Sequence, residues 1–343
     1  MHLLETARLD ATQLSALMTL AKRAEAVDHV APLSEQVRLT TRDGADAGTV
    51  PAHFLAYDGT HLAGYAHLER EAAASNAAEG AARNASDQAA PSTSAAPANM
   101  ATVELVVDPA DRRQGVATAL IRATREALGP LPHRLRIWSH GHLEGARALA
   151  ARHGYIVVRE LWSMHRSLLP DAGSLPAATL PEGFSSRHFV VGQDEDAWLR
   201  VNARAFVHHA EQGALTRHDL DLRIGEPWFV ATGFILIEDM REAVPVLAAS
   251  HWTKIVPSTG PRVRPTKGEV YVVGVDPAYQ GLGLGRAATL LGLEHLRAQG
   301  VTEAMLYVDA DNLAAVSTYS RLGFTRFAVD VMYSPAAPPQ VPR

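Results

Sequence analysis

The chain has no cysteine, and only Lys22, Lys254 and Lys267 are lysines, so arginine supplies nearly all of its positive charge. Without cysteine there are no disulfides, no thiolate metal sites and no acyl transfer through a cysteine nucleophile. Long apolar runs are missing too. No stretch approaches the ~20 residues of a membrane span. The opening MHLLETARLDATQL carries acids early and has no apolar core, so it does not read as a signal peptide. A net charge of −5 leaves no basic footprint for nucleic acid. These absences predict a cytoplasmic protein with neither a nucleic-acid nor a membrane partner. What is present, 343 residues with 47% hydrophobic and 20% charged, describes a globular chain long enough for two cores.

The most informative stretch runs from Gly268 to Ala288, GEVYVVGVDPAYQGLGLGRAA. Val270, Tyr271, Val272, Val273 and Val275 predict a buried strand, which Asp276-Pro277 stops. Gln280-Gly281-Leu282-Gly283-Leu284-Gly285 then leads into a predicted helix from Arg286 to Ala298. Glycines ahead of a helix let backbone N–H groups approach a ligand. The helix N-terminus adds roughly half a positive charge, so phosphate is the natural guest. Two readings compete. Gly283-x-Gly285-x-x-Ala288 satisfies a dinucleotide fingerprint, with Asp309 near the ribose-binding position. That fingerprint wants its first glycine at the strand end, whereas Asp276 to Gln280 intervene, and too little chain follows for a doubly wound sheet. The alternative, Gln280-x-x-Gly283-x-Gly285, resembles the pyrophosphate loop of Gcn5-related N-acetyltransferases, which bind acetyl-CoA.

The pattern occurs twice. Thr102 to Val107 predicts a strand stopped by Asp108-Pro109, and Arg112-x-x-Gly115-x-Ala117 then matches the later loop position for position. In the first half, helices are expected over 11–28 and from Ser34, a hairpin about Asp58-Gly59, a strand at Leu135 to Trp138 and a helix at Glu144 to Arg152. The second half repeats this order, with helices over 194–206 and 216–223, strands over 229–237, 246–255 and 304–308, and a helix from Asn312 to Leu322. Residues 71–99, almost wholly Ala, Ser, Asn, Pro, Gly and Glu with no apolar pattern, read as a disordered insertion. Pro170, Pro176 and Pro181 mark a linker over 169–183. The expected domains are therefore 1–168 and 184–343, the product of a duplication.

Both halves resemble Gcn5-related N-acetyltransferase domains. The more specific resemblance is to the tandem mycothiol synthase family. It rests on Val201 to Phe206, on His208-His209 with Glu211-Gln212-Gly213, and on His251-Trp252-Thr253-Lys254. Gly268 to Val272 and Leu306-Tyr307-Val308 with Asp311-Asn312 complete it. Ala210 departs from the proline usual in that family. The resemblance implies an α/β protein of two tandem domains, each a mixed, mostly antiparallel sheet flanked by helices. It implies acetyl transfer from acetyl-CoA to the cysteinyl amine of cysteinyl-glucosaminyl-inositol. A monomer is expected, with no metal. Other readings are an N-acetyltransferase for another amine, such as a protein N-terminus or an amino sugar, and a non-catalytic acyl-CoA sensor. His208-His209 looks like a metal pair, but adjacent residues face opposite ways and no further ligand stands at metal spacing.

Residue roles follow from the resemblance. Val273, Gly274 and Val275 would present backbone amides to the pantetheine arm, and Gln280, Gly281, Leu282, Gly283, Leu284, Gly285 and Arg286 would hold the pyrophosphate. Asn312, Leu313, Ala314, Ala315, Val316 and Ser317 would line the far side of the groove. In the first domain the equivalents are Leu105, Val106 and Val107, with Arg113, Gln114, Gly115, Val116, Ala117 and Thr118. Glu35, Glu211, Lys254, Glu269 and Tyr307 match acceptor contacts. Glu269 is the candidate base and Tyr319 the candidate acid. Counting back from Asp108 and Tyr155 puts Ala101, Ala150 and Leu143 where the second domain has Glu269, Tyr319 and Asn312. Catalysis is therefore expected in the second domain alone.

Overall fold

The computed structural model describes residues 1–44, 51–70, 100–129, 135–207, 210–255 and 267–336. The expected insertion at 71–99 and the His208-His209 pair lie outside them. In chain order the elements begin β1 (His2–Thr6), α1 (Ala11–Asp28), α2 (Glu35–Asp43), β2 (Ala52–Asp58), β3 (His61–Arg70), β4 (Ala101–Val107), α3 (Val116–Leu128), β5 (Leu135–Ser139), α4 (Glu144–Arg152) and β6 (Tyr155–Ser167). There follow β7 (Phe184–His188), α5 (Glu195–Ala205), α6 (Ala210–Gly213), α7 (Arg217–Ile224), β8 (Phe234–Asp239), β9 (Val246–Lys254), β10 (Lys267–Val275), α8 (Leu284–Ala298), β11 (Glu303–Asp309), α9 (Leu313–Arg321) and β12 (Thr325–Pro335).

Contacts divide the chain into two units, Met1–Glu160 with Val329–Arg343, and Leu161–Ala328. This differs from the expected cut at a 169–183 linker, for two physical reasons. First, β6 and β12 each begin in one unit and end in the other. Val331, Met332 and Tyr333 of β12 pair with β5, while Leu161 to Ser167 of β6 pair with β11. Second, the proline-marked segment is not a tether. Its Leu175, Ala178 and Leu180 pack on the core of the second unit, and Ala178 N–H donates to Glu294 at 3.3 Å. Proline frequency reports an irregular backbone, not a free one.

In the first unit the strands run in the order β1-β2-β3-β4-β5-β12, antiparallel but for the parallel β4–β5 pair. Asp10 and Gln13 form a reciprocal capping box that starts α1, and Leu17, Leu20 and Ala24 turn its apolar stripe inward. Leu55, Tyr65 and Val106 meet that stripe from one face of the sheet; Phe54, Val103 and Ile137 meet α3 from the other. The hairpin at Asp58-Gly59 joins β2 and β3 as its sequence predicts.

The second unit repeats the plan as β6-β11-β10-β9-β8-β7, again with one parallel pair, β10–β11. Trp198, Leu220, Phe234, Trp252 and Val272 form the core on the α5–α7 side, and Leu290, Leu293, Val270 and Leu306 that on the α8 side. Residues 229–237 do not form one strand. Ala231–Gly233 is a 3₁₀ turn, and β8 starts only at Phe234. Thr253 Oγ1 donates to the Gly233 carbonyl at 2.9 Å, giving that turn a side-chain partner.

Candidate active site

Each unit builds the same loop ahead of its central helix. Asp276 caps the turn after β10 by accepting from Ala278 N–H at 2.9 Å, as Asp108 does after β4 from Ala110 N–H at 3.0 Å. Arg204 on α5 lies 3.0 Å from Asp276, and Arg23 on α1 pairs with Asp108. The chain then turns twice through the left-handed region, at Gly281 (φ +81°) and Gly283 (φ +82°), before α8 begins at Leu284. Both glycines are exposed, and a Cβ placed on either would meet nothing within 4 Å. The space above the loop is open, and the N–H groups of the first turn of α8 border it. Backbone N–H groups at a helix N-terminus favour anions. The first unit copies the shape with Arg113 (φ +65°) and Gly115 (φ +88°). A non-glycine residue in that region costs roughly 1–2 kcal/mol, so the conformation is imposed by its surroundings. There Arg112 grips Asp28 of α1 with two bonds of 2.8 and 2.6 Å.

Beside the cradle the two parallel strands separate. β10 and β11 pair from Lys267↔Glu303 to Val270↔Leu306; beyond that β10 stays on β9 to Val275 and β11 on β6 to Asp309, but they no longer pair with each other. Val273 to Val275 thus keep an edge that β11 does not use. A bulge at Tyr271 marks the parting: Val270 faces Thr253 of β9 and Val272 faces Trp252, so the register shifts by one residue there.

Strand alternation sorts the candidate residues by face. On β9, His251 and Thr253 turn toward α8, where His251 Nδ1 donates to the Ala288 carbonyl at 2.8 Å; burial lowers that imidazole to about 4, so it is neutral. Trp252 and Lys254 turn toward α5 and α7. Glu269 stands directly opposite Lys254 and beside Met305, so it shares their face, as does Tyr307 two residues on. Lys254, Glu269 and Tyr307, far apart in sequence, therefore converge. Tyr319 belongs to the opposite face, packed edge to face on Phe324 with centroids 5.9 Å apart. Part of its surface stays exposed, yet desolvation pushes its phenol up to about 12. Asn312 caps α9, accepting from Ala315 N–H at 3.1 Å. Its counterpart Leu143 caps α4 with no side-chain bond.

A family model described as the Acetyltransferase (GNAT) family matches residues 196–324, which span α5 to Phe324. The curated mycothiol acetyltransferase of Thermomonospora curvata is 46% identical over 328 residues, covering 95% of each chain. That of Geodermatophilus obscurus is 44% identical at the same coverage. The chain belongs to the mycothiol acetyltransferase family. It is an acetyltransferase. A solved tandem GNAT protein from the clavulanic acid biosynthesis pathway has the same fold, with a TM-score of 0.65 and 19% identity over 98% of this chain and 99% of that one. No described helix is long and apolar enough to cross a membrane.

The remaining candidates are placed less closely. Glu35 is the first residue of α2 in the first unit, half-buried behind its cap Ser34. The side chain of Glu211 lies outside the described residues. The backbone of α6 is held by Asn202, whose amide donates to the Gln212 carbonyl (2.7 Å) and accepts from the Gln212 side chain (2.9 Å). The sequence gives no site role to Trp228 and Tyr271, whose rings flank Lys254, or to Arg223, which donates to the Tyr271 hydroxyl. Only the unbroken apolar run Val270 to Val273, where alternation should have shown a polar face, hinted at a bulge there.

One counterpart needs correcting. Counting along the ladders, the bulge in β10 makes Thr102, not Ala101, the residue of the first unit matching Glu269. Neither carries a carboxylate. The same count sets His67 and Glu104 against Trp252 and Val272. Where the second unit stacks Phe234 on Trp252 at 4.5 Å, the first buries His53, His67 and Glu104 in a cross-strand row. Glu104 accepts from Ser34 N–H at 2.6 Å, and His140 bridges it (3.3 Å) to Asp330 (3.1 Å). Burial opposes both charges, but these bonds push His140 up to about 10 and hold Glu104 below the usual carboxylate range. Burial lowers His53 and His67 to about 4. This face of the first unit is thus filled by its own polar side chains.

Proposed function

We propose that the chain transfers the acetyl group of acetyl-CoA to the α-amine of cysteinyl-glucosaminyl-inositol, and that the second unit performs the chemistry. The observation that carries this is the convergence of Glu269, Lys254 and Tyr307 on one face of the parted strands. It is joined to relatives named mycothiol acetyltransferase that match over nearly the whole chain. Acetyl-CoA supplies an activated thioester, for which Gln280 to Arg286 offer the pyrophosphate cradle and Val273 to Val275 a free strand edge. Turnover with this acceptor should exceed turnover with a panel of other amines, among them a peptide N-terminus and glucosamine. Equal rates across the panel would overturn the assignment.

Glu269 accepts the proton that the amine must lose, directly or through a water, and draws the ammonium form to the site. On the other face Tyr319, held neutral by its raised pKa of about 12, donates to the departing thiolate. A free thiol has a pKa of about 8.5, so such a donor helps without being indispensable. Tyr319→Phe should lower kcat by about tenfold with both KM values little changed, the mark of an interaction made in the transition state. Full kcat in that variant, with chemistry shown to be rate-limiting by the absence of a burst, would leave Tyr319 a packing residue.

The first unit keeps the cradle but lacks counterparts of Glu269 and Tyr319, since Thr102 and Ala150 stand there. Gly115→Val should therefore lower the melting temperature, because a β-branched residue is strained at φ +88°. It should leave kcat within about twofold, as no group of the chemical step is touched. A kcat loss as deep as that from removing Glu269 would place chemistry in the first unit.

A further inference from the structure

Lys254 is held by groups to which none of the roles above extends. Its side chain is only 8% exposed, and Nζ lies 4.8 Å from the ring centroid of Trp228 and 5.0 Å from that of Tyr271. The two rings meet edge to face at 5.1 Å, and both rest on the fully buried Trp252, at 5.6 and 5.2 Å. Tyr271 is fixed at its far end as well. Arg223, itself buried, donates from Nε to the tyrosine hydroxyl at 2.8 Å and from Nη1 to the Asp219 carbonyl at 2.9 Å. Tyr271 is the bulge residue between the Val270 and Val272 register positions, and its ring lies against Lys254 and Trp252 of β9. A lysine on a four-carbon stem ordinarily samples many rotamers; two aromatic faces attract the ammonium and confine it.

We propose that Trp228 and Tyr271 are positioning residues that aim the Lys254 ammonium at the hydroxylated sugar portion of the acceptor, and so set acceptor affinity rather than the rate of acetyl transfer. An ammonium has three donors and no acceptor, so its partner must offer oxygen lone pairs, as sugar and inositol hydroxyls do. Glu269 stands opposite the same lysine. The ammonium is therefore offered beside the residue assigned to the amine, and a molecule carrying an amine and a polyol can engage both. The proposal rests on the reading of Lys254 as an acceptor contact.

Steady-state kinetics test it with Trp228→Leu, Tyr271→Leu, Trp228→Phe, Lys254→Met and the double variant Lys254→Met/Trp228→Leu. The two leucine variants should raise the acceptor KM about tenfold, with kcat and the acetyl-CoA KM within about twofold, and Trp228→Phe should recover most of the loss. In the Lys254→Met background, Trp228→Leu should add nothing further, since the ring acts through the lysine. Should Trp228→Leu fail to fold, Tyr271→Leu and the phenylalanine rescue carry the same comparison. An unchanged acceptor KM in Lys254→Met would refute the acceptor reading of that lysine, and this proposal with it. A raised acceptor KM in Lys254→Met but not in the leucine variants would overturn the aromatic role alone. Leucine variants that raise both KM values and lower kcat together would show a structural role only.

Discussion

Glu269→Gln is expected to lower kcat/KM by about a hundredfold near neutral pH, and by progressively less as the pH rises past about 8. An α-amine has a pKa of about 7.7–8.0, so near neutrality a large share is protonated and cannot attack. Glutamine keeps the size of the side chain and its half-buried place opposite Lys254, but it can neither take the proton nor attract the ammonium. The deficit therefore belongs to the pH range in which a proton has to be removed, and it shrinks once solution has removed it. The acceptor also carries a thiol, intrinsically the better nucleophile, so Glu269 in addition helps bring nitrogen rather than sulfur to the thioester. A pH–rate profile of kcat/KM for wild type and variant is the measurement. A deficit constant from pH 6 to 9 would argue that Glu269 only shapes the pocket.

Gly283→Val should raise the KM for acetyl-CoA by about a hundredfold while leaving the acceptor KM nearly unchanged. Gly283 has φ +82° and caps α8, so its backbone turns the first N–H groups of the helix toward the open cradle. No neighbouring atom would clash with a new Cβ. The cost is conformational: a β-branched residue does not tolerate this region, so the loop must change shape. Any side chain that remained would project into the space a pyrophosphate needs. A folded Gly283→Val protein with an unchanged acetyl-CoA KM would refute the cradle. Gly283→Ala is the graded control, and its smaller side chain should give an intermediate KM.

Much of this is legible in the sequence. Local chemistry was enough for the capped turns at Asp108 and Asp276, for the glycines before α3 and α8 and for the alternating apolar faces of the helices. Each of these signals depends on residues within one or two turns of each other, and the duplication made each legible twice. The long strand β6 was harder. Gly154-Tyr155 announces a strand, but nothing local says that it continues to Ser167, or that its second half pairs with β11. The strands β1 and β7, five residues each, carried too little pattern to be noticed. Glu104 and His140 passed unremarked because a buried ion pair reads, in sequence, like two ordinary polar residues.

By itself the sequence determined the fold class, the duplication, the glycine turns ahead of α3 and α8 and, through motifs such as His251 to Lys254, the family. These are properties of backbone conformation and short-range spacing, and spacing is written in the chain. Only the tertiary structure decided which residues meet. It set Glu269 opposite Lys254 and beside Met305, and put Tyr319 on the other face. It inserted the bulge that moved the counterpart of Glu269 from Ala101 to Thr102, and set Trp228 and Tyr271 against one ammonium, with Arg223 behind the tyrosine. It also decided where each unit ends, because β6 and β12 cross from one to the other. Such facts depend on ladder register and on packing between segments distant in sequence. A single extra residue in one strand changes the pairing of everything beyond it, and no local pattern records that.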